Sequence, residues 1–205
     1  LVPNHLAFFI FNHAAIFTKD KWPRQIVVNG SVLMEGKKMS KSLGNIIPLR
    51  HAIEEYGADS IRLTMLASAE ILQDSDFSFD LVKGIRSKLF EIYRSITVHK
   101  DIFTLSQNRT DHTELEDLWM SSRIQHIISE TTSAVEKLRI REALHSILYL
   151  MDIDLQWYQK RKLAKNKSIS NIYLKEFFET RIKLLSPFAP FFCEEIWEIM
   201  GNNSF

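Results

Sequence analysis

Hydrophobic residues follow two different patterns along the chain. Residues 6–17 are almost all apolar, and a second, shorter apolar run lies within residues 25–33. From residue 80 onward, apolar residues recur at steps of three and four, the spacing of one face of an amphipathic helix. We therefore expect a mainly α protein, in which the end of an α/β domain is followed by a helical bundle.

The first apolar run predicts a helix that begins at Asn4, a residue type that caps helices, and runs to about Phe17. It is shorter than the roughly 20 apolar residues that cross a bilayer, so we expect a buried helix rather than a membrane span. The segment from Gln25 to Leu33 predicts a buried strand. An apolar helix at the start also indicates packing partners upstream, and we expect the chain to be a piece of something longer.

A polar segment, residues 35–45 with the sequence EGKKMSKSLGN, follows the predicted strand and predicts a mobile loop. After it, Pro48 suits the first position of a helix that continues to Tyr56, where Gly57 can end it. A short helix follows, and Asp74 and Asp76 then lie in a turn, where we expect them to cap the next helix.

The remaining apolar pattern predicts five helices joined by short loops, which is typical of an up-and-down bundle. The first spans residues 80–98, and the second opens with a capping box formed by Thr113 and Glu116. The third covers residues 140–151, the fourth starts at Ser170, and the last ends at Gly201.

Composition excludes several classes of protein. Apolar residues make up 45% and charged residues 25%, ordinary values for a folded domain and not for a disordered chain. The net charge of +1 gives no general attraction to nucleic acid or membranes. The single cysteine, Cys193, excludes an internal disulfide and a zinc site of several thiolates, and it suits a reducing cytosol. His5 and His13 lie too far apart for a shared metal site, and we predict none.

Candidate chemistry is concentrated in the segment Lys38-Met39-Ser40-Lys41-Ser42. Two lysines three positions apart, with hydroxyl groups between and beside them, can form a flexible cationic clamp for a polyphosphate. The P-loop pattern does not fit, because the glycine spacing is wrong and Gly36-Lys37 is followed by Lys38 rather than Ser or Thr. The alternative is a solvated loop without catalytic meaning, the usual explanation of a short charged run.

The wider context of this segment resembles one protein family. KMSKSLGN, followed by Tyr56-Gly57-Ala58-Asp59 and by Arg62-Leu63, resembles the second signature region of class I aminoacyl-tRNA synthetases. The stretches 3–13 and 22–30 are most similar to the leucyl branch of archaeal and eukaryotic cytosolic type. The stretch 186–197 is similar to the end of that family's tRNA-binding helical bundle.

The resemblance implies a two-step reaction, in which ATP and leucine give leucyl-adenylate and leucine then passes to tRNA. It implies that Lys38 and Lys41 stabilise the leaving pyrophosphate, and that Met39, Ser40 and Ser42 contact ATP beside them. For Met39, packing within the loop is an equal alternative to a contact on the adenine side. Mg²⁺ would accompany ATP, and the location would be cytoplasmic. No His-x-Gly-His run, the family's first signature, is present. The chain alone is therefore expected to be inactive.

The resemblance also implies a division into three parts: residues 1–50 as the end of a Rossmann-type catalytic domain, 51–79 as stem-contact helices, and 80–205 as an anticodon-binding-type bundle. Asp59 and Arg62 are expected to support the stem of the catalytic loop. A valyl, isoleucyl or methionyl synthetase is an alternative, since this loop does not contact the amino acid side chain. A non-catalytic tRNA-binding module is another, and whether the bundle contacts the anticodon is left open.

A basic cluster within the bundle is a second candidate site. It contains five cations and no acidic residue nearby in the sequence: Lys160, Arg161, Lys162, Lys165 and Lys167. Such a cluster can bind tRNA phosphates, and a solvated loop between helices explains it equally well. Trp157 and Tyr158, just before it, are expected to pack in the core rather than stack on bases.

Overall fold

The computed structural model describes residues 2–28, 30–70, 73–104 and 114–203, and these are mostly helical. A π-helical turn (Val2–Leu6) leads into α1, and short 3-10 turns lie at Lys19–Lys21 and Lys41–Leu43. Three strands follow in the order β1 (Val32–Met34), β2 (Lys37–Lys38) and β3 (Ser75–Phe77). The α-helices are α1 (Ala7–Ile16), α2 (Leu49–Tyr56), α3 (Ala58–Ser68), α4 (Phe79–Val98), α5 (Asp101–Thr104), α6 (Leu115–Glu136), α7 (Ile140–His145), α8 (Met151–Ala164), α9 (Asn171–Leu185) and α10 (Pro190–Ile199).

The sheet is small and has the strand order β2-β1-β3. β1 pairs with β2 in an antiparallel hairpin and with β3 in parallel. The predicted strand Gln25–Leu33 is wrong in position: the observed strand begins at Val32, and residues 24–28 and 30–31 are not in a strand. Among the described residues, the strand pairs reach only from Val32 to Met34, opposite residues 37–38 and 75–77, although Gly30 and Ser31 also form single backbone hydrogen bonds with Gln73 and Ser75.

Helix α1 differs from its prediction in two respects. Asn4 lies inside the π-helical turn and is not a helix cap. No residue of α1 is buried, and Phe8 and Phe11 are 67% and 73% exposed. An apolar helix becomes buried only where other elements cover it, and the described residues do not cover this one.

The bundle surrounds one large core, which confirms the predicted amphipathic pattern. Helix α4 contributes Ile85, Leu89, Ile92 and Ile96 on one face, at steps of three and four. The later helices add aliphatic and aromatic side chains, including Ile124, Ile127, Leu144, Ile147, Phe177, Phe178, Ile182 and Ile196. The third predicted helix is longer than expected, because a π-helical turn at Ser146–Leu150 joins α7 to α8 without a break.

A second, smaller core lies between the sheet and helices α2–α4. It contains Met34, Tyr56, Ile61, Phe77 and other buried side chains, and the half-buried Met39 packs against it. This small core fixes the position of the hairpin from which the lysine-containing loop extends.

Several predicted helix ends are confirmed and others are wrong. Gly57 ends α2 with a positive φ of 84°, which favours glycine. Ser78, not Asp74 or Asp76, caps α4 by accepting a hydrogen bond from the Leu81 N–H. The predicted capping box at residues 113 and 116 lies partly outside the described residues.

The helices of the described residues do not include one that is long and apolar enough to cross a membrane. Cys193 is fully buried. His5 and His13 are not core residues. The His13 ring lies 2.9 Å from the carbonyl oxygen of Lys21, at the surface.

Candidate functional site

The β1–β2 hairpin positions the loop that carries the lysines. Leu33 pairs with Lys38 and Met34 with Lys37, so Lys38 is the last residue of the short second strand. Glu35 and Gly36 form the turn, with positive φ angles of 49° and 73°. Two consecutive positive φ angles match the twist of a tight hairpin. Sequence reasoning predicted a mobile loop here, whereas the structure contains a strand and a helical turn within it.

Backbone and side-chain contacts hold this turn against β3. The Glu35 N–H donates to the carbonyl of Phe77, at 3.1 Å, and the Glu35 carboxylate accepts from the Phe79 N–H, at 2.8 Å. The Asp76 carboxylate accepts from the Gly36 N–H at 2.9 Å. These bonds offset the strain of a left-handed non-glycine residue. Asp74 accepts similarly from the Ser31 N–H, so both aspartates stabilise the hairpin rather than a helix end.

The loop beyond the hairpin is ordered by its own hydrogen bonds. The Asn45 side chain accepts from the Ser40 N–H at 2.9 Å and donates to the Lys38 carbonyl at 3.1 Å. The hydroxyl oxygens of Ser40 and Ser42 lie 2.7 Å apart. Gly44 ends the 3-10 turn with a φ of 65°, in the left-handed region.

Both signature lysines are exposed and unpaired within the described part of the chain. Asn45 bonds to the backbone of Lys38 and of Ser40, the residue just before Lys41, and neither lysine forms an ion pair with a described acidic residue. Two ammonium groups on long, flexible stems can therefore approach an anionic ligand without first leaving an internal partner. The arrangement fits the stabilisation of negative charge that develops on a polyphosphate leaving group.

A pocket of about 720 Å³ lies beside this loop, between the hairpin and helix α2. Its lining includes Lys37, Asn45, His51 and Tyr56, but not Lys38 or Lys41. Met39 packs against the smaller core, in agreement with a structural contribution from this side chain.

A metal site is not formed by this chain's own carboxylates in the ranges described. No group of three or more His, Cys, Asp or Glu residues there could hold a metal ion. The ammonium groups of the loop cannot bind a cation, and its serine hydroxyls are not accompanied by a carboxylate within residues 38–42.

The basic cluster on helix α8 has a different environment from the loop. Lys162 is only 2% exposed, and its ammonium lies 2.7 Å from Glu114 and 2.9 Å from Asp117 at the start of α6. Tyr158 is fully buried and donates to Asp117 at 2.5 Å. Burial, together with this hydrogen bond, raises the pKa of Tyr158. Lys162 therefore stabilises the junction of α6 and α8 and cannot contact a phosphate without breaking these pairs.

Two further lysines of the cluster also pair with α6. Lys165 pairs with Glu116, and Lys167 lies 3.0 Å from Glu114. The hydrogen bond from Lys162 is the main cause that lowers the pKa of Glu114, and the one from Lys165 lowers that of Glu116. The sequence contains no acidic residue near these lysines, so only the packing of α6 against α8 shows the pairs. Glu114 and Asp117 also form the capping box of α6.

Lys160 and Arg161 are the members of the cluster that stay exposed and form no ion pair with a described acid. The Arg161 guanidinium lies 5.2 Å from the centre of the Trp157 ring, which contacts Trp119 in a tilted arrangement with ring centres 3.9 Å apart. Trp157 is 37% exposed, whereas Tyr158 is buried. The prediction of core packing is thus correct for Tyr158 and only partly correct for Trp157.

Helix α3 joins the loop region to the last helices of the bundle. Arg62 donates to the carbonyls of Phe188 and Pro187, at 3.0 and 3.2 Å. The Asp59 carboxylate accepts from the Phe192 N–H at 2.6 Å. Burial raises the pKa of Asp59. These two residues connect α3 to α10, rather than contacting the lysine loop itself.

Sequence reasoning missed the acidic partners of the cluster and the bridging amide of Asn45. Asn45 had a signal in the sequence, a polar residue directly after a glycine at the end of a signature loop. The sequence contained no signal for the acidic partners Glu114, Glu116 and Asp117, because each lies more than 40 positions from the lysine that it binds.

Comparison with known proteins agrees with this arrangement. Residues 1–93 match the family described as tRNA synthetases class I (M), and residues 117–205 match the anticodon-binding domain of tRNA ligase. The chain is 44% identical to a leucine–tRNA ligase of Methanococcoides burtonii, over 98% of its own length and 20% of the relative's. It is 42% identical to leucine–tRNA ligase 2 of Saccharolobus solfataricus, over 100% of this chain and 21% of that protein.

A solved structure has the same fold. The ternary complex of the Agrobacterium radiobacter K84 agnB2 LeuRS with tRNA and LeuAMS aligns with a TM-score of 0.72 and 28% identity. The alignment covers 86% of this chain and 22% of that one. The chain spans about a fifth of the length of the curated relatives it matches. The chain belongs to the class I aminoacyl-tRNA synthetases, and over its whole length it is similar to leucine–tRNA ligases.

Proposed function

We propose that this chain is the portion of a leucine–tRNA ligase that supplies the second signature loop and part of the tRNA-binding surface. The observation that carries the proposal is the exposed, internally braced loop with two unpaired lysines, in a chain similar throughout to leucine–tRNA ligases. Lys38 and Lys41 stabilise negative charge on the pyrophosphate as leucine attacks the α-phosphate of ATP. Positioned cations that act mainly in the transition state raise the rate rather than the affinity.

The neighbours of these lysines complete the ATP-binding segment in this proposal. Ser40 and Ser42 have hydroxyl groups that can donate to phosphate oxygens, and Met39 fixes the base of the loop by packing on the smaller core. The residues of the loop do not fit a Mg²⁺ ligand set, and no step of the proposal uses the ion. The three-part division at residues 50 and 79 stays a proposal, with the hairpin in the first part and α4–α10 in the third.

The proposed tRNA contact is limited by the geometry. Lys160 and Arg161 are exposed and extend the positive surface of α8, so we assign them to backbone phosphates. Lys165 and Lys167 are partly exposed but paired, and their contribution is expected to be smaller. Lys162 is excluded from the proposed contact by its buried pairs.

The decisive experiment is ATP–pyrophosphate exchange by the product of the complete reading frame, with leucine, isoleucine, valine and methionine supplied in turn. We expect exchange with leucine and much less with the other three. A preference for another amino acid would retain the mechanism and reject the leucyl assignment. An absence of exchange from the folded protein would favour a non-catalytic tRNA-binding module. The 205 residues alone should give none.

A further inference from the structure

Asn45 occupies a special position relative to the two signature lysines. Its amide bonds to backbone groups on both sides of Met39: the carbonyl of Lys38 and the N–H of Ser40. An asparagine side chain is the only common one of this length that offers an acceptor and two donors without charge. A single side chain thus closes the loop across seven positions.

The bridge acts on the part of the loop that sets the direction of both lysines. Ser40 is extended, with φ −148° and ψ 134°, and the chain then enters the 3-10 turn that contains Lys41. The contact between the Ser40 and Ser42 hydroxyls crosses the same turn. Because Lys38 and Lys41 flank the bridged segment, the distance between their backbones depends on the bridge.

Few other contacts hold this segment. Lys38, Lys41 and Ser42 are exposed, and Gly44 has nothing within 4 Å of where a Cβ would lie. Asn45 itself is half-buried. A loop with so little packing depends on its internal hydrogen bonds for a defined conformation.

We propose that Asn45 is a positioning residue for leucine activation: its amide holds Lys38 and Lys41 in the arrangement that meets the pyrophosphate. This inference rests on the proposed function of the two lysines. Without the bridge, the loop still carries both lysines. The loop conformation that positions them for the pyrophosphate then becomes one of several that the loop can adopt. The rate of activation should then fall while the binding of ATP changes little, since the lysines act mainly in the transition state.

The test is leucine-dependent ATP–pyrophosphate exchange by the Asn45→Ala variant of the complete reading-frame product. We expect kcat to fall about 10- to 100-fold, as for a displacement of catalytic groups by about an ångström. The KM for ATP should change by less than about threefold. Asn171→Ala is the matched control, because that amide is exposed at the start of α9 and forms no side-chain hydrogen bond with a described residue.

A double-mutant cycle separates positioning from general damage. If Asn45 acts through Lys41, the Asn45→Ala substitution should cost little further rate once Lys41 is already alanine. Fully additive losses would overturn the inference, as would a KM effect equal to the kcat effect. A lowered thermal midpoint that accounts for the lost activity would assign Asn45 a purely structural role and would also overturn it.

The outcomes distinguish this inference from the proposed function. Loss of exchange in Lys41→Ala with full activity in Asn45→Ala would reject only the role of Asn45. Full exchange in Lys41→Ala would instead reject the proposed role of the lysine loop, on which the inference depends.

Discussion

Two lysine-rich segments of this chain look alike in sequence and differ in structure. In the signature loop, Lys38 and Lys41 are exposed and pair with no described acid. On α8, Lys162 is buried between two carboxylates, and Lys165 is paired with Glu116. Charge density alone therefore does not distinguish an exposed, unpaired lysine from one that holds helices together.

The difference comes from what each segment packs against. The loop extends from a hairpin into solvent, and the carboxylates nearest to it, Glu35 and Asp76, bind backbone N–H groups rather than lysines. Helix α8 lies against α6, whose first turn presents Glu114, Glu116 and Asp117. The loop leaves its lysines unpaired, whereas Lys162 on α8 and Lys165 and Lys167 just beyond it are paired with acids at the start of α6.

The largest expected effect is on stability. Lys162→Ala leaves Asp117 without its cation while it is 3% exposed, so we expect the free energy of unfolding to fall by about 3 kcal/mol. Urea unfolding of the 205-residue chain measures it. Lys160→Ala, on the exposed face of the same helix, should change the value by less than about 0.5 kcal/mol. Equal effects of the two substitutions would show that the buried pairs contribute nothing specific.

The next effect is on catalysis. Lys41→Ala in the complete reading-frame product should slow leucine-dependent exchange by about 10²- to 10³-fold, because it removes a cation that acts in the transition state. Its unfolding curve should be unchanged, since the side chain is exposed. Lys37→Ala, at an exposed lysine of β2, should retain exchange to within a few-fold. A Lys41→Ala protein that loses leucine affinity as strongly as rate would contradict the transition-state role.

A smaller effect is expected of acid pH on the stability of the fold. Lysine hydrogen bonds lower the folded-state pKa values of Glu114 and Glu116 below 4.5, the ordinary value. The stability from these pairs is therefore fully present above that value and is lost as the pH falls through the lowered pKa values. Thermal unfolding of the chain at decreasing pH should show the loss, and Lys165→Met should reduce it. An acid transition that is identical in wild type and Lys165→Met would disprove the contribution of the Glu116 pair.

The smallest effect concerns tRNA affinity. Replacing Lys160 and Arg161 together by alanine should reduce the slope of log affinity against log salt concentration. The expected reduction is about one for each phosphate contact that is lost. Binding of leucine tRNA transcript at several salt concentrations gives the slope. The Lys165→Ala variant should change it less, because that ammonium is already paired. An unchanged slope in the double variant would assign these two cations to solubility.

Prediction from sequence succeeded where the signal is local. The helices α4, α9 and α10 and the core residues of α4 follow from a repeat of three and four, since the same spacing forms one face of a helix. The loop that contains Lys38 and Lys41 was equally easy to locate, because its motif is contiguous, and the catalytic role of the two lysines stays a prediction. The same reasoning placed the first strand wrongly and wrongly predicted that α1 is buried. Strand pairing and burial depend on partners elsewhere in the chain.

The sequence by itself determined the helical bundle, the position of the signature loop and the family to which the chain belongs. Only the tertiary structure decided which lysines are free, because the acids that pair with α8 are supplied by α6 across more than 40 positions of chain. It also decided the contacts of Asn45, whose two hydrogen bonds exist only once the loop has folded back on itself. Local spacing specifies helices, but pairing of distant charges requires the packed fold.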